Sequence, residues 1–173
     1  RGCRPSPAAL GQPVRGRLTG NFGLRRIING LERSPHAGID FAVPPGTPVR
    51  AAAAGVVVET GDFFFNGHSV YLDHGQGVVT LYCHLDRIAV QPGERVVTGQ
   101  TVGLSGNTGR SSGPHLHWTV LANGAAVDPR RSRISASSVA PGKEVEWVRL
   151  PGGISFDALR KPRGPTVNTA RSR

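Results

Sequence analysis

Apolar and polar positions alternate in short runs along this chain, and no segment sustains the spacing of an amphipathic helix. Pro48-Val49-Arg50-Ala51-Ala52 and Gly55-Val56-Val57-Val58-Glu59 read as short strands. Ser69-Val70-Tyr71-Leu72-Asp73-His74 and Val78-Val79-Thr80-Leu81-Tyr82-Cys83-His84 are two more, and Gly75-Gln76-Gly77 between them signals a hairpin. After the turn Gln91-Pro92-Gly93-Glu94 come Val96-Val97 and Thr101-Val102-Gly103-Leu104. A long polar, Gly-rich loop from Ser105 to Pro114 then delivers the chain into His115-Leu116-His117-Trp118-Thr119-Val120-Leu121, a strand with clear alternation. Asn123-Gly124 turns it, and Ala126-Val127-Asp128-Pro129 closes the patterned region. There is no internal repeat, and turns fall every eight to twelve residues or so, which predicts an all-β, antiparallel, sandwich-like domain.

Composition supports that reading. The 173 residues suit one ordinary domain with some tail to spare, and the 24 Gly and 14 Pro favour many short strands over long helices. A core of this size needs no metal or disulfide to hold it, so a metal here is expected to serve chemistry. Residues 1–13, with three Pro, read as a loose lead-in; 14–130 form the domain; 131–173 read as a basic, poorly ordered tail. The net charge of +10 is uneven: residues 1–128 hold 11 Arg against eight Asp and Glu (+3), and residues 129–173 hold ten Lys and Arg against three (+7). Both lysines, Lys143 and Lys161, lie in the tail, which places a boundary near 129–131. A tail of this kind is solvated, or touches an anionic polymer. No aromatic residues are interleaved with its charges to stack bases, which argues against nucleic acid. Within the tail, Glu144 to Leu150 alternates like one strand. Cys3 and Cys83 make no disulfide framework. No run approaches the roughly 18 apolar residues of a membrane span, and any export signal is out of view.

The chemistry rests on histidine. Of six, His115 and His117 lie two apart on a strand and point to one face together with Thr119, while Leu116, Trp118 and Val120 face the other way. That suits one metal ligand and one neighbour acting on water, although two surface histidines on a strand would look the same. His36 and Asp40, on a loop running into a strand, offer an imidazole and a carboxylate that Zn²⁺ accepts. Alternation places Thr80, Tyr82 and His84 on a common face at the end of an apolar strand. Taken together, His36, Asp40 and one of the paired histidines supply the three protein ligands of a catalytic zinc site, leaving a position for water. The remaining histidines, His84 and His115, could then move protons near that water. No HExxH is present, which excludes the Glu-base scheme of the helical zinc proteases.

These words also occur together elsewhere. His36-x-x-x-Asp40, Tyr82-Cys83-His84-Leu85 and Gly113-Pro114-His115-Leu116-His117 stand in the order and spacing of the lysostaphin-type (M23, LytM-like) peptidases. Gly20-Asn21-Phe22-Gly23-Leu24-Arg25, Pro45-Gly46-Thr47-Pro48-Val49, Asp73-His74-Gly75 and Gly103-x-x-Gly106-Asn107-Thr108-Gly109 match as well. The chain resembles that family over about residues 14–130. The resemblance implies a β-sheet domain with a substrate groove and one Zn²⁺ at its floor, held by His36, Asp40 and His117, with His84 and His115 in catalysis. It implies a structural role for His74 and none for His68. It further implies a metalloendopeptidase acting on peptide cross-links of bacterial peptidoglycan. The wording Asp62-Phe63-Phe64-Phe65-Asn66-Gly67 and the all-Arg domain resemble the Gram-negative members, which cut D-Ala–diaminopimelate bonds in the periplasm. Polyglycine bridges are the substrate of other members, and degenerate members instead activate cell-wall amidases. The family domain usually stops near Asp128-Pro129, and residues 130–173 resemble nothing in it.

Overall fold

A computed structural model of the chain describes residues 10–131, together with Arg149–Leu150 and Gly153–Ile154. The strand run opens with β1 (Arg17–Gly20), a small hairpin of β2 (Arg26–Ile28) and β3 (Leu31–Arg33), and β4 (Ile39–Ala42). It continues through β5 (Pro48–Arg50), β6 (Gly55–Phe63), β7 (Gly67–Asp73) and β8 (Val78–Ile88). Then come β9 (Arg95–Val96), β10 (Thr101–Ser105), β11 (Leu116–Ala122) and β12 (Ala125–Val127), closed by a 3-10 turn at Pro129–Arg131. A last pair, β13 (Arg149–Leu150) and β14 (Gly153–Ile154), forms a separate two-stranded sheet. There is no α-helix among the described residues, and the pairings are antiparallel.

Ten strands form one connected sheet in the order β1-β4-β11-β8-β7-β6-β9, with β12 on β11 and a branch in which β10 joins β8 and β5. Alternation sorts its side chains. On one face Ile39, Phe41, Val70, Leu72, Tyr82, Leu116, Trp118 and Val120 join Val49 and Val102 from the branch in the main core. On the other face Tyr71, Val79, Leu81, Cys83 and Leu121 make a smaller cluster. Leu116 is fully buried, so truncating it to Ala costs about 2–5 kcal/mol through lost burial and the cavity left behind.

One finding differs from the sequence reading. The lead-in expected to be loose is tied down at its end: Gly11 N donates to Ala52 O at 2.7 Å and Arg50 N to Pro13 O at 2.9 Å. Pairing with the β5 edge gives these backbone groups partners that composition does not reveal. The strand expected over 144–150 lies outside the described residues except for Arg149–Leu150, as does nearly all of the basic tail and with it the expected polymer contact.

Candidate metal and catalytic centre

Strand register assembles the first half of the site. Across the β4–β11 ladder His117 stands opposite Asp40, both on the face turned away from the main core. His36 reaches the same point from the loop before β4 and is 2% exposed. His117 Nδ1 lies 2.8 Å from Asp40 Oδ1, and His36 Nε2 lies 3.0 Å from His117 Nδ1 and 3.1 Å from Asp40 Oδ1. Gly20, paired with Asp40 across β1, permits this close approach, because a Cβ there would run into the Asp40 carboxylate.

The outer hydrogen bonds decide what the three atoms can do. His36 Nδ1 donates to the carbonyl of Asn21 at 2.9 Å, so its Nε2 carries a lone pair toward the centre. His117 Nε2 lies 2.9 Å from Thr119 Oγ1, which can accept its proton and leave Nδ1 as the inward lone pair. Asp40 adds a carboxylate oxygen. Burial alone would push its carboxyl up, but without a metal the rings of His117 and His36, when protonated toward it, outweigh this and hold it well below the usual range. With both rings in these neutral tautomers, three electron-pair donors face one another, an arrangement that a cation makes favourable. Their spacing falls within about half an ångström of the roughly 3.3 Å implied by tetrahedral bonds of about 2.0–2.1 Å. The residue set fits a divalent metal, and the partners on the far ring nitrogens are the kind that orient ligating histidines.

The second half is built by irregular backbone. Up to Cys83, β8 pairs with β11; from Leu85 it pairs with β10. His84 sits at the changeover with φ of +60°, a left-handed conformation rare for a non-Gly residue, and its N–H is held by Asn66 O at 2.7 Å. The left-handed turn overturns the alternation: Thr80 and Tyr82 keep to the core side, while the His84 ring lies 4.7 Å from that of His115 and 6.1 Å from that of His117. His84 Nδ1 donates to Thr108 O at 2.8 Å, and His115 Nδ1 to Gly113 O at 2.8 Å. Both rings are therefore pinned through Nδ1 by one loop, and His115 Nε2 lies 3.8 Å from Asp40 Oδ1. Burial, reinforced by the charges of His115 and His117 and only partly offset by the Thr108 carbonyl, pushes His84 down to about 4, so it is neutral at pH 7.

The other two histidines stand apart. His74 is buried between Ala54 O, at 2.8 Å from Nδ1, and Thr80 Oγ1, at 2.7 Å from Nε2, and Thr80 continues to the Tyr82 hydroxyl at 3.0 Å. His68 is half exposed beside Asp86 O and Asp62. A cavity of about 310 Å³ lined by Leu18, Ile39, Phe41 and Trp118 belongs to the core side of β4 and β11, away from Asp40 and His117. Asn21, Thr108 and Gly113 stand in the quoted sequence words, but their parts as partners of His36, His84 and His115 are not legible there because they act through backbone carbonyls. Thr119 was legible, since it shares the face of His117 two positions on.

An antiparallel β domain whose sheet carries a His–Asp–His cluster flanked by two more histidines is the make-up of a β-type metallopeptidase. The model of Peptidase family M23 matches residues 34–129, and the chain belongs to that family. It is 43% identical over 130 residues to the peptidoglycan DD-endopeptidase ShyA of Vibrio cholerae, covering 75% of this chain and 30% of that protein. The chain thus spans under a third of that relative's length. Among solved structures it resembles a putative peptidase M23 from Pseudomonas aeruginosa (48% identity, TM-score 0.64, covering 72% of this chain and 50% of that one). It also resembles a zinc-containing peptidase from Vibrio cholerae (35% identity, TM-score 0.68, covering 72% and 40%).

Proposed function

We propose that this chain is a zinc metalloendopeptidase that hydrolyses peptide cross-links of bacterial peptidoglycan, at D-Ala–diaminopimelate bonds, and works in the cell envelope. The observation that carries the reading is the convergence of His36 Nε2, Asp40 Oδ1 and His117 Nδ1 beside two further imidazoles fixed by hydrogen bonds. Zn²⁺ in that cluster supplies Lewis acidity that lowers the pKa of water and polarises a scissile carbonyl.

His36, Asp40 and His117 are the ligands in this reading. The residues across from them do the rest. His84 is neutral, and its Nδ1 proton is committed to Thr108 O, so Nε2 is the nitrogen left to take a proton from attacking water. His115, committed through Nδ1 to Gly113 O, turns Nε2 toward the same space, where a proton on it can stabilise the oxyanion of a tetrahedral intermediate. The proton that His84 takes from water goes on to the departing amine as the C–N bond breaks, which returns both imidazoles to their starting state. The relatives' name supports the D-Ala–diaminopimelate choice over polyglycine. The complete set of five polar groups supports an enzyme over an amidase-activating module.

The test is hydrolysis of purified cross-linked muropeptide dimers, with products read by mass spectrometry and metal read on the same sample. Release of monomers by protein holding one zinc per chain is expected. Cleavage of pentaglycine alone would shift the substrate. Stimulation of an amidase, without cleavage by this chain, would replace the reading with the activator role.

A further inference from the structure

Resting on the enzymatic reading above, we infer that Thr108 is a positioning residue that acts on the reaction through His84. His84 occupies a left-handed conformation the strand pattern does not favour, and such backbone at a residue with a Cβ persists only where its surroundings over-determine it. Those surroundings meet at Thr108. Its carbonyl accepts the His84 Nδ1 proton at 2.8 Å, which fixes ring orientation and tautomer. Its hydroxyl donates to Leu85 O at 2.6 Å, on the residue following His84, and accepts the N–H of His68 at 3.0 Å. One side chain therefore uses both of its hydrogen-bonding functions to clamp the 106–115 loop to β8 and β7.

The clamp bears on His84 from both sides. Asn66 O, just before β7, holds the His84 N–H, and Gly67 lies so close to Thr108 that a Cβ there would collide with it. Loop, hairpin and strand end thus interlock around one imidazole. Removing the hydroxyl leaves the Leu85 carbonyl and the His68 N–H without their partner, frees the Thr108 carbonyl to move, and lets the ring leave its productive pose. A displacement of about 1 Å at a catalytic group can cost around a hundredfold in rate. The ligands His36, Asp40 and His117 are held by other partners, so metal binding is not touched.

The experiment is a double-mutant cycle on muropeptide dimers with Thr108→Val, isosteric but without a hydroxyl, and His84→Ala. Wild-type turnover is measured first: its absence sinks the parent reading, while its presence puts the positioning role alone at stake. Thr108→Val is expected to lower kcat about 10–100-fold with zinc stoichiometry and KM kept, and Thr108→Ser to restore most of the rate. In the His84→Ala background Thr108→Val is expected to cost nothing further, because its route to the reaction is already gone. An undiminished rate in Thr108→Val overturns the inference, and so does a full additive loss in the His84→Ala background. Thr108→Ala replaces the valine if that variant does not fold. Collapse of both, with serine intact, makes the residue structural and also overturns it.

Discussion

The two halves of the centre are made in different ways. His117 and Asp40 sit opposite one another on regular, paired strands, and their meeting follows from register alone. His84 and His115 flank the loop of residues 106–115, one on a left-handed residue where β8 changes partner and the other at a lone bridge to Gly106. A ladder holds Asp40 and His117 through many shared hydrogen bonds, and His36, on the loop before β4, is buried and tied through Nδ1 to Asn21 O, so this half is rigid. The loop half depends on a few specific contacts. The ligand half should fail as a unit, and the loop half should fail by degrees.

The largest effect is expected from His117→Ala, which removes a lone pair from the ligand cluster. Metal content should fall from one per chain toward zero and activity to the level of chelator-treated protein, both measurable on one sample. Retention of a full metal complement would break the distinction between halves. His84→Ala should keep the metal and lose about 10²–10⁴-fold in kcat, the range of a general acid–base group, in steady-state assays on defined muropeptides. Gly67→Ala comes next. At φ of +61° and against Thr108 it meets both backbone strain and a collision, so a loss of about 2–4 kcal/mol is expected in denaturant melts, with metal retained.

The smallest effect tests the core beneath both halves. Burial lowers the pKa of His74 from 6.5, against weaker upward pulls from the Ala54 carbonyl and Asp73. The folded chain therefore keeps His74 neutral while the unfolded chain binds a proton below pH 6.5. Its contribution to stability is fully present above that pH and declines as pH falls toward the folded value. Melting temperatures of metal-stripped protein should drop between pH 7 and pH 5, and His74→Gln should flatten part of that slope. An unchanged slope would mean that His74 carries no such linkage.

Much of this was legible in the chain because strand geometry is periodic. Alternation over 115–121 puts His117 and Thr119 on one face and Leu116, Trp118 and Val120 on the other, and the main core takes only the second set. Period-2 patterning fails at irregular backbone, and it misassigned His84, which shares no face with Tyr82. One positive φ reverses the side-chain direction and leaves no mark in a hydrophobic pattern.

The sequence by itself determined an all-β architecture, because its short alternating runs and dense turn residues permit little else, and it nominated five polar groups by type. Tertiary structure alone decided how those groups meet. Imidazole and carboxylate 77 positions apart are joined by ladder register, and the ring protons of His36, His84 and His115 are placed by the carbonyls of Asn21, Thr108 and Gly113. A backbone carbonyl is the same in every residue, so its part in a site is written in where the chain goes and not in which letter stands there.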